Sequence, residues 1–125
     1  MELLPPQVGS KQSLKKLNLV GANLKELSSY VLCLKNLEFL RLGGSSLEVL
    51  PPSLSYLTSL KELWLWKCEN LQYFPVSIRI LTQLTVLNIS RCGIQYLPPT
   101  IMEMNNLKVL TVCRCPLTEL QVSFN

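Results

Sequence analysis

The sequence contains no histidine and no aspartate; all eight of its acidic side chains are glutamates. This removes the commonest general base and the commonest transition-metal ligand. No Ser, Cys or Lys has a base or oxyanion partner close by in sequence, so the residues offer no starting point for catalysis. The five cysteines form no C-x-x-C pair, and without histidine they lack the pattern of a zinc site. The five glycines form no G-x-x-x-x-G-K-[ST] loop for phosphates. No run approaches the roughly 20 apolar residues that span a bilayer. The opening Met1-Glu2-Leu3-Leu4-Pro5-Pro6 has neither the basic region nor the apolar run of a signal peptide. These absences predict a non-enzymatic protein with no cofactor, no metal and no membrane partner. Its expected place is the cytoplasm or nucleus, with its cysteines held as thiols.

What is present is a chain of 125 residues, 48% hydrophobic and 16% charged, enough for one folded domain and too apolar for a disordered tail. Twelve basic residues give a net charge of +4, a mild bias toward acidic partners.

Internal repetition decides the fold class. Leu14, Leu37, Leu60, Leu84 and Leu107 are separated by 23, 23, 24 and 23 residues, and each opens an L-x-x-L-x-L/I/V stretch. The sets are Leu14-Leu17-Leu19, Leu37-Leu40-Leu42, Leu60-Leu63-Leu65, Leu84-Leu87-Ile89 and Leu107-Leu110-Val112. A second half follows as L-x-x-L-P-x-x-I-x-x-L, as in Ile94, Leu97, Pro98, Ile101 and Met104. The one extra residue falls at Glu69-Asn70, in a turn, where insertion is best tolerated.

The apolar period changes within each unit. Leu63-Trp64-Leu65-Trp66 alternates with period two, as a short strand does. Spacings of three and four behind Pro51, Pro75 and Pro98 predict a helical turn or an irregular convex segment. Stacked coils of this kind make an α/β solenoid with a short parallel sheet on the concave face and a continuous leucine core. The expected organisation is one domain over 1–125: a partial repeat 1–13, repeats 14–36, 37–59, 60–83 and 84–106, and an incomplete last repeat 107–125.

The pattern resembles the cytoplasmic class of leucine-rich repeats over essentially the whole chain. Leu60-x-x-Leu63-x-Leu65-x-x-Cys68-x-x-Leu71-x-x-Phe74-Pro75 is similar to repeats of plant intracellular nucleotide-binding immune receptors. The L-P-x-x-I/L step is also similar to that of the Ras-group scaffolds. The resemblance implies a protein–protein interaction module, either the sensing half of a disease-resistance receptor or a signalling scaffold. Leu4-Pro5-Pro6 aligns with Leu50-Pro51-Pro52, and the last unit stops at Phe124-Asn125, so incomplete coils are expected at both ends. Lys11 stands where the pattern expects leucine. Such ends expose core, and self-association through Leu14, Leu17, Leu117 and Leu120 is expected.

Residues leaving the strands outward lie at the second, third, fifth, seventh and eighth positions of each repeat. Eight of the twelve basic residues are there, with only Glu38 and Glu62 as acids. The second-position row, Lys15, Glu38 and Lys61, alternates in charge, whereas the eighth-position row ends in three like charges, Lys67, Arg91 and Arg114. Trp64 has Arg41 and Asn88 as row neighbours, an arrangement that permits a cation–π stack. Trp66 has Gly43 and Ser90, both too small to cover an indole. The expected partner-binding face is therefore Trp64, Trp66, Arg41, Lys67, Arg91, Arg114 and Phe39, facing an acidic protein surface. Nucleic acid ranks low as a partner, because Glu38 and Glu62 share the face. Cys68, Cys92 and Cys115 occupy the ninth position and are expected to be buried, with Cys33 packed on the convex side and Cys113 exposed.

Overall fold

The computed structural model describes residues 13–117 apart from Asn23 and Ser45. Leu120, Lys11 and the stretch around Leu4 lie outside the described residues. Each L-x-x-L-x-L stretch folds as a five-residue strand: β1 (Lys16–Val20), β2 (Phe39–Gly43), β3 (Glu62–Trp66), β4 (Val86–Ser90) and β5 (Val109–Cys113). All pair in parallel, in chain order, within one sheet. The register advances by one whole repeat per step, so Leu40, Leu63, Leu87 and Leu110 stack in one row and Leu42, Leu65, Ile89 and Val112 in another.

Local chemistry sets the return segments. Pro51, Pro75 and Pro98 are extended, with φ of −69°, −69° and −62°. Each proline carbonyl accepts from the amide three residues on, Leu54, Ile78 and Ile101, at 2.9, 3.2 and 3.0 Å. That closure makes 3₁₀ turns at Pro52–Tyr56, Val76–Ile80 and Pro99–Glu103. The first described repeat has Ser28 in place of proline. Its hydroxyl accepts from the Val31 amide at 3.5 Å, and the Leu32 amide reaches back to the Ser28 carbonyl at 3.3 Å. The turn is accordingly one turn of α-helix, α1 (Ser29–Leu32).

Between sheet and turns lies a core made mostly of leucine, with Leu37, Leu40, Leu47, Leu57, Leu60 and Leu63 wholly shielded. Leu14, Leu17, Leu110 and Leu117 are only half-buried, because coils at the ends of the described stack have a neighbour on one side. The ninth-position thiols sit under the strand ends. Cys68, Cys92 and Cys115 donate to the carbonyls of Trp66, Ser90 and Cys113 at 3.8, 3.4 and 3.7 Å. Each carbonyl also accepts an amide from the preceding coil, that of Gly44, Lys67 or Arg91, at 2.9 Å. A small weak donor fits here as a second partner to a carbonyl already in the ladder. No helix of the described residues is long and apolar enough to cross a membrane.

The extra residue at Glu69-Asn70 leaves the strand register intact and presses instead on the next coil. A Cβ at Gly93 would collide with the Glu69 carbonyl oxygen and lie 3.1 Å from that of Leu71. Backbone at such contact distances has little room to yield. Gly93→Ala should therefore lower stability by about 1–3 kcal/mol, read from urea unfolding. An unchanged midpoint would mean that the Glu69-Asn70 turn moves aside freely.

Candidate partner-binding site

Inward leucines at alternate strand positions force the intervening residues onto the outer sheet face, where the register arranges them in rows. One row is Lys16, Phe39, Glu62, Val86 and Val109; the next is Asn18, Arg41, Trp64, Asn88 and Thr111. A third is Val20, Gly43, Trp66, Ser90 and Cys113. All seven residues expected from the sequence lie on this face or its edge, and they divide into two groups.

Phe39, Arg41 and Trp64 belong to the first group. The Arg41 guanidinium carbon lies 4.8 Å from the centroid of the Trp64 ring, and the Lys16 ammonium 5.2 Å from that of Phe39. Trp64 Nε1 donates to Glu62 Oε1 at 3.1 Å, an acceptor that rows alone did not identify. Lys16, Asn18, Phe39, Arg41, Glu62 and Trp64 line an open cavity of about 410 Å³. In the second-position row, Lys61 Nζ lies 3.7 Å from Glu38 Oε1, as its charge alternation predicts. The pair is partly solvent-exposed, so it neutralises local charge and adds little stability.

Lys67, Arg91 and Arg114 form the second group, at the eighth position. Their φ values are +57°, +55° and +59°, in the left-handed region; Gly21 and Gly44 occupy the same position in the first two repeats at +84° and +59°. A side chain in this conformation costs roughly 1 kcal/mol relative to glycine. The three basic residues line a second shallow cavity of about 400 Å³ together with Glu69, Cys92 and Gly93. Glu69, at the tenth position, joins the lining from outside the row.

Trp66 stands between the two groups and is 44% exposed. Gly43 was expected to leave one side of the indole open. Instead the indole rests on it, since a Cβ at Gly43 would lie 3.4 Å from Trp66 Cε3. The Lys67 ammonium sits 5.5 Å from the ring centroid, a second contact the sequence did not announce. Cations, indoles and acceptors held on a rigid sheet make a surface suited to docking a charged partner.

The thiols follow the sequence reading in part. Cys68 and Cys92 are buried and Cys113 is exposed, while Cys115 is only half-buried. Cys33 is exposed rather than packed, because its place after α1 turns it off the core. A thiol–thiol hydrogen bond with Cys68, reinforced by burial, pushes Cys92 above the ordinary thiol range, and burial does the same to Cys115. A row the sequence reading overlooked runs along the thirteenth position. Val49, Tyr73 and Tyr96 are all exposed, and the two tyrosines stack with centroids 5.9 Å apart. The recurrence of tyrosine at one position in adjacent repeats was the available signal.

This architecture is a leucine-rich-repeat solenoid, the fold of protein-interaction modules. A profile described as Leucine Rich Repeat matches residues 83–104. No curated protein sequence matches the chain closely enough to count as a relative. Among solved structures, the chain is similar to the leucine-rich repeat domain of the type III effector XopL, with TM-score 0.85 and 30% identity over 94% of this chain and 42% of that one. It is also similar to a leucine-rich-repeat protein of Leptospira interrogans, with TM-score 0.83 and 29% identity over 96% and 32% of the two chains. A plant peptide hormone receptor, RGFR1, solved in complex with RGF2, shares the fold, with TM-score 0.54 and 24% identity over 90% and 22%. The chain thus spans less than half the length of each of these structures.

The Cys92 shift has a stability consequence with a definite sign. Its folded state holds the proton more tightly than the unfolded chain, whose thiol ionises near 9.0. The contribution is complete below that pH and is lost as pH rises above it. Urea midpoints should fall between about pH 8 and pH 10, and Cys92→Ala should reduce the fall. An equal decline in both proteins would assign it to other groups.

Proposed function

We propose that the chain is a protein-recognition module whose outer sheet face takes an acidic surface of another protein. In this reading it is the ligand-sensing repeat portion, or a fragment, of a plant disease-resistance-type receptor acting in the cytoplasm or nucleus. The observation that carries the binding reading is Trp66, half-exposed on a rigid central strand between two cavities lined by cations. Trp and Arg at the centre of a surface are the residue types that dominate interface energetics. The coil itself is shared with bacterial repeat proteins, so fold alone does not assign a biological role. The receptor reading is supported by the ninth-position cysteines Cys68, Cys92 and Cys115 and by the Phe74-Pro75 step, in the spacing typical of those receptor repeats.

The test is a set of variants measured against a partner captured on the immobilised chain. Trp66→Ala should weaken binding by about 2 kcal/mol or more. It should leave the unfolding midpoint nearly unchanged, because the indole lies outside the leucine core. Arg91→Glu should slow association and flatten its salt dependence. Glu48→Ala and Glu103→Ala, both exposed away from the sheet, should be silent. A partner whose affinity ignores Trp66 and Arg91 but responds to Glu48 and Glu103 would place recognition on the opposite side.

A further inference from the structure

We propose that Lys67, Arg91 and Arg114 form a binding site for a phosphoryl dianion carried on a phosphorylated segment of the partner protein. The inference rests on the sheet face being the recognition surface, and it names the chemistry that one part of that surface reads.

Two unfavourable effects coincide at these three positions. Each residue is held in the left-handed region, where the equivalent positions of the first two repeats have Gly21 and Gly44. Each also places a cation beside another cation on the neighbouring coil, which is repulsive unless an anion intervenes. Glycine would remove both effects at once. A local conflict of this kind, repeated in register on three successive coils, marks residues kept for what their side chains do.

The backbone shows how an anion would be held. The Lys67 and Arg91 amides donate to the carbonyls of Ser90 and Cys113, so they remain in the sheet ladder and are not free for a ligand. At these two residues any contact to an anion comes from the side chain, and two of the three side chains in the row are guanidinium forks suited to paired oxygens. All three line one shallow recess of about 400 Å³, and the Lys67 ammonium also reaches over the neighbouring Trp66 ring. With Glu69 also lining it, the lining residues carry three formal positive charges and one negative, a net of two. A single carboxylate brings one charge and two oxygens. A phosphoryl group brings up to two charges and three acceptor oxygens, which matches the recess in both respects.

The surroundings favour a peptide as the carrier. Trp66 lies next to the row, with the Lys67 ammonium over its ring, and gives the chain flanking a phosphorylated residue a flat apolar contact. Glu69 in the recess, with Glu38 and Glu62 elsewhere on the same face, disfavours an extended polyanion.

The experiment titrates the whole chain by NMR with inorganic phosphate, sulfate and acetate at matched ionic strength, and then with a degenerate phosphoserine peptide pool. Phosphate and sulfate should give saturable shifts centred on residues 67, 91 and 114, and acetate should not. The phosphoserine pool should bind more tightly than free phosphate, and a pool with glutamate in that position more weakly than the phosphoserine pool. Arg91→Gly and Arg114→Gly should each weaken phosphate binding about tenfold. Because glycine relieves the left-handed strain, the same variants should match or exceed the parent in thermal midpoint. Arg79→Gln, on a convex turn, should bind as the parent does.

Equal responses to acetate and phosphate, or undiminished binding by the glycine variants, would overturn the proposal. A lowered midpoint in those variants would overturn it as well, by giving the arginines a structural role. An oligonucleotide that outcompetes the phosphoserine pool would contradict the peptide as carrier. If Trp66→Ala abolishes partner binding while the row ignores phosphate, the recognition face stands and this inference falls. If the row binds phosphate while partner binding ignores Trp66, the anion site stands and the wider reading of the face falls.

Discussion

A parallel ladder between separate coils closes only when every coil returns its strand to the same height and phase as the one before. Strands must sit about 4.8 Å apart for amides to meet carbonyls, and the inward leucines must stack in that same step. Neither condition holds alone: the leucine rows bring the coils together, and the hydrogen bonds fix their register. Other features of the molecule answer to this constraint. The prolines redirect each coil at one fixed point, the ninth-position thiols add a second donor beneath the strand ends, and Gly93 gives way to the longer turn at Glu69-Asn70. Coils at either end of the described stack lack one neighbour, which is why Leu17 and Leu110 keep part of their surface in water.

The same constraint builds the outer face. With leucines committed inward, the intervening residues have no choice of side, and register lines them up at a fixed spacing. Arg41 meets Trp64 because they are partners across β2 and β3, and Trp66 meets Gly43 for the same reason. Side chains arranged this way are ordered before any partner arrives, which reduces the entropy lost on binding. At the edge of the sheet the ladder continues through residues in the left-handed region. There the third to fifth repeats carry long cations where the first two carry glycine. At those three positions a long charged side chain stands where the backbone conformation favours glycine.

Much of this was legible in the sequence because repetition converts spacing into geometry. Five registered leucine sets define the strands, the strands define the rows, and the rows name the neighbours of Trp64 and Trp66. What escaped depends on torsions and on contacts between different positions of the repeat. The left-handed state of Lys67, Arg91 and Arg114 was hinted at by Gly21 and Gly44 but not deduced. The Lys67 ammonium over Trp66 and Glu69 beside the basic row follow from side-chain reach, which spacing does not encode. Cys33 was misplaced because its position in the repeat faces solvent whichever turn the coil makes, as the equivalent Tyr56 and Ile80 do.

The chain carries its own reporters for the central claim that recognition occurs on the sheet face. Both tryptophans, Trp64 and Trp66, lie on that face, whereas Tyr30, Tyr56, Tyr73 and Tyr96 lie on the return side of the coils. Fluorotryptophan and fluorotyrosine can be incorporated in separate samples and followed by fluorine NMR as a bound partner saturates. The account predicts that both tryptophan signals shift and that all four tyrosine signals stay in place. Shifts confined to tyrosine, with both tryptophans silent, would contradict it.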